Sequence, residues 1–117
     1  MKVNWLPQAI IRIPDLDALN KFIEYCDERN ILWDNIFHIR NAKKFIKPYM
    51  EQHSGEVCIN VEPDGRMGYC YADYYKDDIY YQNDDPQWNF CSVEFFIEAT
   101  DGLCFEELHD FDFDAIL

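Results

Sequence analysis

The side chains of this chain that could do chemistry are three histidines, five cysteines, two serines and 23 carboxylates. His109 stands among Glu106, Glu107, Asp110 and Asp112. Acid pairs around a single imidazole impose no coordination geometry, whereas zinc wants three or four converging ligands. The doublets Asp77-Asp78 and Asp84-Asp85 lack the alternating acids, central glycine and closing glutamate of a calcium loop. Neither Ser54 nor Ser92 sits in a Gly-x-Ser-x-Gly turn, and no cysteine has a histidine partner evident in the sequence. Gly65-Arg66-Met67-Gly68 reads as hairpin geometry rather than a phosphate loop. Carboxylates are too plentiful for any two to be marked as a glycosidase pair. The expectation is a non-enzymatic protein with no catalytic residue, no metal and no cofactor.

Binding is what the same side chains suit. Gly68 to Trp88 holds Tyr69, Tyr71, Tyr74, Tyr75, Tyr80, Tyr81 and Trp88 among five aspartates, with Lys76 as its only cation. Tyrosine offers a rigid, amphipathic contact surface at low entropic cost and is enriched at interfaces. Charge is just as uneven. Residues 1–53 carry eight basic and seven acidic side chains, and residues 54–117 carry two and sixteen, for a net charge of −13 overall. Free nucleic acid and anionic membranes both need cations facing them, so neither is an expected partner. A basic groove on another protein fits, with fast, salt-sensitive association. Arg40, Lys43, Lys44 and Lys47 form the one basic cluster, expected to pair with the acidic second half.

Glu94 and Glu98 would share the outward face of a strand, and Asp110, Asp112 and Asp114 recur at every second residue. In an extended chain such residues lie about 6.7 Å apart, comparable with successive phosphates, so they could mimic nucleic acid. The candidate partner-binding residues are Tyr74, Tyr75, Asp77, Asp78, Tyr80, Tyr81, Asp84, Asp85, Trp88, Glu94, Glu98, Asp110, Asp112 and Asp114. A strip of this kind could equally form a homodimer interface, which makes a self-associating structural or assembly protein the alternative.

The elements that must carry these residues read as α+β in one domain, residues 1–117. Gln8 to Ile13 is a first strand. Asp15 caps a helix of about 15–29, whose Leu16, Leu19, Phe22, Ile23 and Cys26 make one apolar stripe, and Asn30 ends it. Ile31-Leu32-Trp33 is a short strand or an anchored loop. A second helix of about 42–52 is short or kinked at Pro48, with Ile36, Ile39, Phe45, Ile46, Tyr49 and Met50 able to line one face. Val57 to Val61 and Met67 to Tyr71 alternate around Pro63-Asp64-Gly65 as a hairpin. Tyr74 to Gln87 reads as an excursion, Cys91 to Ala99 as a half-buried strand, and Leu103 to Phe105 as a strand after a turn. The expected sheet is antiparallel-rich, of four to six strands, with the first helix across one face.

The cysteines lie outside any CxxC pair and no long apolar run opens the chain, so a cytosolic protein with reduced thiols is expected. Helix, Ile31-Leu32-Trp33, Cys58-Ile59-Asn60-Val61, Pro-Asp-Gly and Gly68-Tyr69-Cys70-Tyr71 follow one another in an order that resembles short bacteriophage accessory proteins of α+β type. In size and acidity the chain is similar to phage inhibitors of host defence, the anti-CRISPR and anti-restriction proteins. That resemblance implies inhibition of a nucleic-acid-handling host protein, in some members by mimicry of DNA.

Overall fold

Strand β1, Ala9–Ile13, is the centre of the sheet, and its sequence explains why. Ile10 and Ile11 point to opposite faces and both are fully buried, as a strand covered on both sides requires. The computed structural model describes residues 8–53, 56–77 and 89–100. Within them β2 (Val57–Val61), β3 (Met67–Tyr71) and β4 (Asn89–Ser92) join β1 in the order β3-β2-β1-β4. The β1–β2 and β2–β3 pairs are antiparallel, and β1–β4 is parallel. The fold is therefore α+β, on a four-stranded mixed sheet.

Helix α1, Leu16–Glu28, starts where the Asp15 carboxylate accepts the Ala18 amide at 2.8 Å. It ends where Ile31 N–H donates to Cys26 C=O and Asn30 N–H to Asp27 C=O, with Asn30 at φ 57°. That double closure around a left-handed residue is a Schellman stop. A one-turn 3-10 helix, Ile39–Asn41, leads directly into α2, Ala42–His53, and the His38 side chain caps its start by accepting the Arg40 amide. Pro48 lies inside α2. Both Pro48 and Lys44, whose carbonyl loses its partner, are exposed, so water can satisfy the orphaned oxygen.

One face of the sheet carries the main core. Ile11, Ile13, Ile59, Val61 and Met67 meet Leu19, Phe22 and Ile23 of α1, Ala42 and Ile46 of α2, and Phe96. Ile31-Leu32-Trp33 is a loop, with Trp33 buried in this core and bridged to Phe37. The opposite face holds a smaller cluster of Ile10, Cys58, Ala72 and Tyr75 beneath the short helix α3, Ala72–Asp77.

The alternation expected from Cys91 to Ala99 is overturned after Ser92. There the chain turns into helix α4, Val93–Thr100. Ser92 Oγ accepts the Phe95 amide at 3.0 Å as a cap. Val93, Phe96 and Thr100 are buried, and their spacing of three and four is helical. The Thr100 hydroxyl donates to the Phe96 carbonyl at 2.8 Å and meets the Tyr25 hydroxyl of α1. The start of the expected excursion is likewise helical, since α3 covers Tyr74 and Tyr75.

Candidate partner-binding surface

The tyrosine strip divides at its first pair. Tyr74 is 45% exposed, but Tyr75 is 1% exposed and belongs to the core of the second sheet face. Its hydroxyl donates to Asn60 Oδ1 at 2.6 Å. Gly68 stands beside Asn60 in the register, and a Cβ there would lie 2.8 Å from that same oxygen. Glycine at 68 therefore leaves room for the amide that receives Tyr75. Tyr75 is a packing residue, contrary to the expectation that it binds a partner. The reason is that α3 turns it inward while Tyr74, one residue earlier, faces out.

Glu94 and Glu98 are both exposed, on a helix instead of a strand, four residues apart. Glu94 pairs with Lys21 at 3.4 Å. Its carboxyl is held below its ordinary range, first by a hydrogen bond from its own backbone amide and then by Lys21. The side chain of Asp77 and all of Asp78, Tyr80, Tyr81, Asp84, Asp85, Trp88, Asp110, Asp112 and Asp114 lie outside the described residues, as does the strand expected at 103–105.

The described residues bring an aromatic run together along β3. Trp33, Phe45 and Tyr69 contact one another at ring centroid distances of 5.4–6.2 Å. Tyr49 then packs edge-on to Tyr69 at 5.0 Å and stacks on Tyr71 at 5.3 Å. The run goes from the buried Trp33 to the exposed Tyr71, so its far end is available to a partner. The ladder bonds Glu62 N–H to Arg66 C=O and Ala72 N–H to Glu56 C=O fix which residues face β2. By alternation Met67, Tyr69 and Tyr71 turn their backbone groups to the edge that no described strand pairs. Asp34 Oδ1 accepts the Met67 amide there at 2.9 Å. The Tyr49 hydroxyl donates to Cys70 Sγ at 3.6 Å, across the same edge. Desolvation, reinforced by Cys70 and Tyr71, pushes the Tyr49 phenol above its ordinary range.

At the other end of β3 lies a feature that sequence reasoning missed. Ile36, taken there as part of a helical face, and its neighbour Phe37 are 66% and 50% exposed at the tip of a tight loop. Asp34 and Asn35 hold left-handed φ values of 53° and 60°. Asn35 Nδ2 donates to the Asp64 carbonyl at 2.7 Å, and Asp34 is tied to Met67. Gly65, at φ 92°, leaves room for the Asn35 side chain where a Cβ would collide with it. The signal was present as Asp34-Asn35, a turn-forming pair that interrupts any helix through Ile36.

Ion pairing is mostly local. Arg40 and His38 both engage Asp27, at 2.7 Å and 3.2 Å. Lys47 approaches Glu51 at 3.9 Å, and Lys43 and Lys44 have no ion pair among the described residues. Among the described residues the basic cluster pairs on its own side of the chain and not with the second half as expected. Arg12, on Glu56, and Lys21, on Glu94, cross between the halves. Arg66 is held by Glu62 and Asp64. A cleft of about 310 Å³ runs between the starts of α1 and α4, lined by Arg12, Asp15, Lys21 and Glu94, its two cations already engaged.

Burial pushes the Cys26 thiol upward and that of Cys91 up to about 12, keeping both protonated. Among the described residues no group of three or more His, Cys, Asp or Glu could hold a metal, and no helix is long and apolar enough to cross a membrane. Comparison with family models, curated proteins and solved structures gives no match.

Proposed function

We propose that the protein is a non-enzymatic, acidic binding protein that inhibits a nucleic-acid-handling host protein, of the anti-CRISPR or anti-restriction type, by occupying its basic groove. One observation carries this reading. The second half carries sixteen acidic and two basic side chains, and among the described residues the basic cluster makes no ion pair with it, since Arg40 and Lys47 pair within the first half. An acidic surplus of that size would steer the protein to a cationic surface. Tyr71, Tyr74, Ile36 and Phe37 supply exposed rings and aliphatic area, which set affinity more than rim charges do. Glu94 and Glu98, about 6 Å apart along α4, keep a spacing close to that of phosphates.

The test is recovery of partners from bacterial lysate at low and high salt, with and without competing DNA. The expected result is a nucleic-acid-binding protein that DNA displaces and high salt releases. A partner indifferent to DNA removes the mimicry. Self-association alone, seen as a sedimentation coefficient that climbs with concentration, favours the assembly-protein alternative.

A further inference from the structure

We infer that Cys58 and Cys70 are a redox pair, able to close a cross-strand disulfide when offered a low-molecular-weight disulfide. The two residues are Cα partners in the β2–β3 register. The ladder bonds on either side, Glu62 to Arg66 and Ala72 to Glu56, make this a hydrogen-bonded pair. Such pairs have Cα atoms about 5.5 Å apart, inside the range of roughly 4.4–6.8 Å that a disulfide spans. Both side chains lie on the second sheet face, where Cys70 packs against the cluster containing Cys58. Cys26 and Cys91 belong to the main core on the other face, so neither competes for these sulfurs.

The two thiols differ in a way that orders the reaction. Cys70 is half-buried on the edge strand, and Cys58 is buried behind it. Arg12 is the Cα partner of Cys58 on β1. Cys70 thiolate attacks one sulfur of the small disulfide, forming a mixed disulfide and releasing the first small thiolate. Cys58 thiolate then attacks Cys70 Sγ, forming the protein disulfide and releasing the second. Two protein thiols are oxidised, one small disulfide is reduced to two thiols, and the two thiol protons end on the released thiolates. Closure draws Cys70 Sγ toward Cys58 and away from the Tyr49 hydroxyl that donates to it. The redox state is thereby transmitted to Tyr49 and to Tyr71, the surface ring stacked on it.

The experiment is incubation of the full chain with oxidised glutathione, acid quench, intact mass and peptide mapping. The expected product has lost two hydrogens, links the Cys58 and Cys70 peptides, and keeps no glutathione. Cys58→Ser should trap a stable glutathione adduct on Cys70. Cys70→Ser should react roughly ten-fold more slowly than wild type, because the remaining thiol of the pair is buried. A bond mapped to any other cysteine, an intermolecular cross-link, or a wild-type protein that retains glutathione overturns the inference. The wild-type peptide map decides without either variant.

Discussion

Replacing Tyr75 separates a packing residue from a binding residue in one measurement. Its hydroxyl donates to Asn60 Oδ1 at 2.6 Å, and its ring is 1% exposed among Ile10, Cys58 and Ala72. Tyr75→Phe keeps the ring and removes one hydrogen bond, which costs about 1 kcal/mol, and nearer 2 if Asn60 finds no new donor. For a domain of this size that is roughly 4 °C in Tm per kcal/mol. Tyr75→Ala also removes the ring and should cost about 3–5 kcal/mol by analogy with other aromatic truncations, a large share of a typical total of about 5–15. Gly68→Ala supplies an independent check. The new Cβ would sit 2.8 Å from Asn60 Oδ1, so the amide must turn and the bond to Tyr75 is lost. Once Tyr75 is already phenylalanine, that turn forfeits nothing. The double variant should therefore be less destabilised than the two singles together by about 1 kcal/mol. Urea denaturation of the four proteins reads the cycle. Additive effects, each under about 0.5 kcal/mol, would refute the placement of Tyr75 beneath α3.

Replacing both Ile36 and Phe37 by serine should leave Tm within a few degrees, because both are exposed, yet raise the off-rate from any captured partner about ten-fold or more; an unchanged off-rate removes the loop from the interface. Gly65→Ala should cost about 1–3 kcal/mol, since φ 92° strains any side chain and Asn35 fills the space; a neutral result in a thermal melt would show that the loop can part from the hairpin. Glu94→Gln tests the lowered carboxyl. A group whose folded pKa is depressed contributes stability above its unfolded value and loses it as pH falls through the folded one. Wild type should thus exceed Glu94→Gln in urea midpoint near neutral pH, with the gap closing below the normal carboxylate range. A gap independent of pH would exclude the charge as its source.

The elements most legible in the sequence were those with one consistent period and their own punctuation. Helix α1 has a single apolar stripe, Asp15 at one end and Asn30 at the other, and the structure uses all three. The β2–β3 hairpin was equally clear from its alternation around Pro63-Asp64-Gly65. Residues 93–100 were not, because VEFFIEAT is apolar enough to satisfy periods of two and of 3.6 alike. What decides there is the Ser92 hydroxyl on the Phe95 amide and the reach of Thr100 to Tyr25, the second a contact across 75 positions. Tyr75 was misjudged for a related reason. Six tyrosines among aspartates look wet throughout, and only the α3 turn reveals that adjacent rings point in opposite directions.

The outer edge of β3, which no other described strand pairs, bears on how a partner can engage this molecule. An edge strand without charge or proline invites strand pairing, and Met-Gly-Tyr-Cys-Tyr has neither. Two side chains from elsewhere intervene. Asp34 takes the Met67 amide that would face an incoming strand, and Tyr49 lies on Tyr69 and Tyr71 with its hydroxyl on Cys70. Strand addition would have to dislodge Tyr49 from both rings and Asp34 from a loop that holds two left-handed residues. A partner that approaches this edge from the side-chain faces disturbs neither. It meets Tyr71 and Tyr74 at one end and Ile36 and Phe37 at the other, some 14 Å apart by the length of β3. Under the proposed function, that separation would let the exposed groups at both ends of the strand act as anchors.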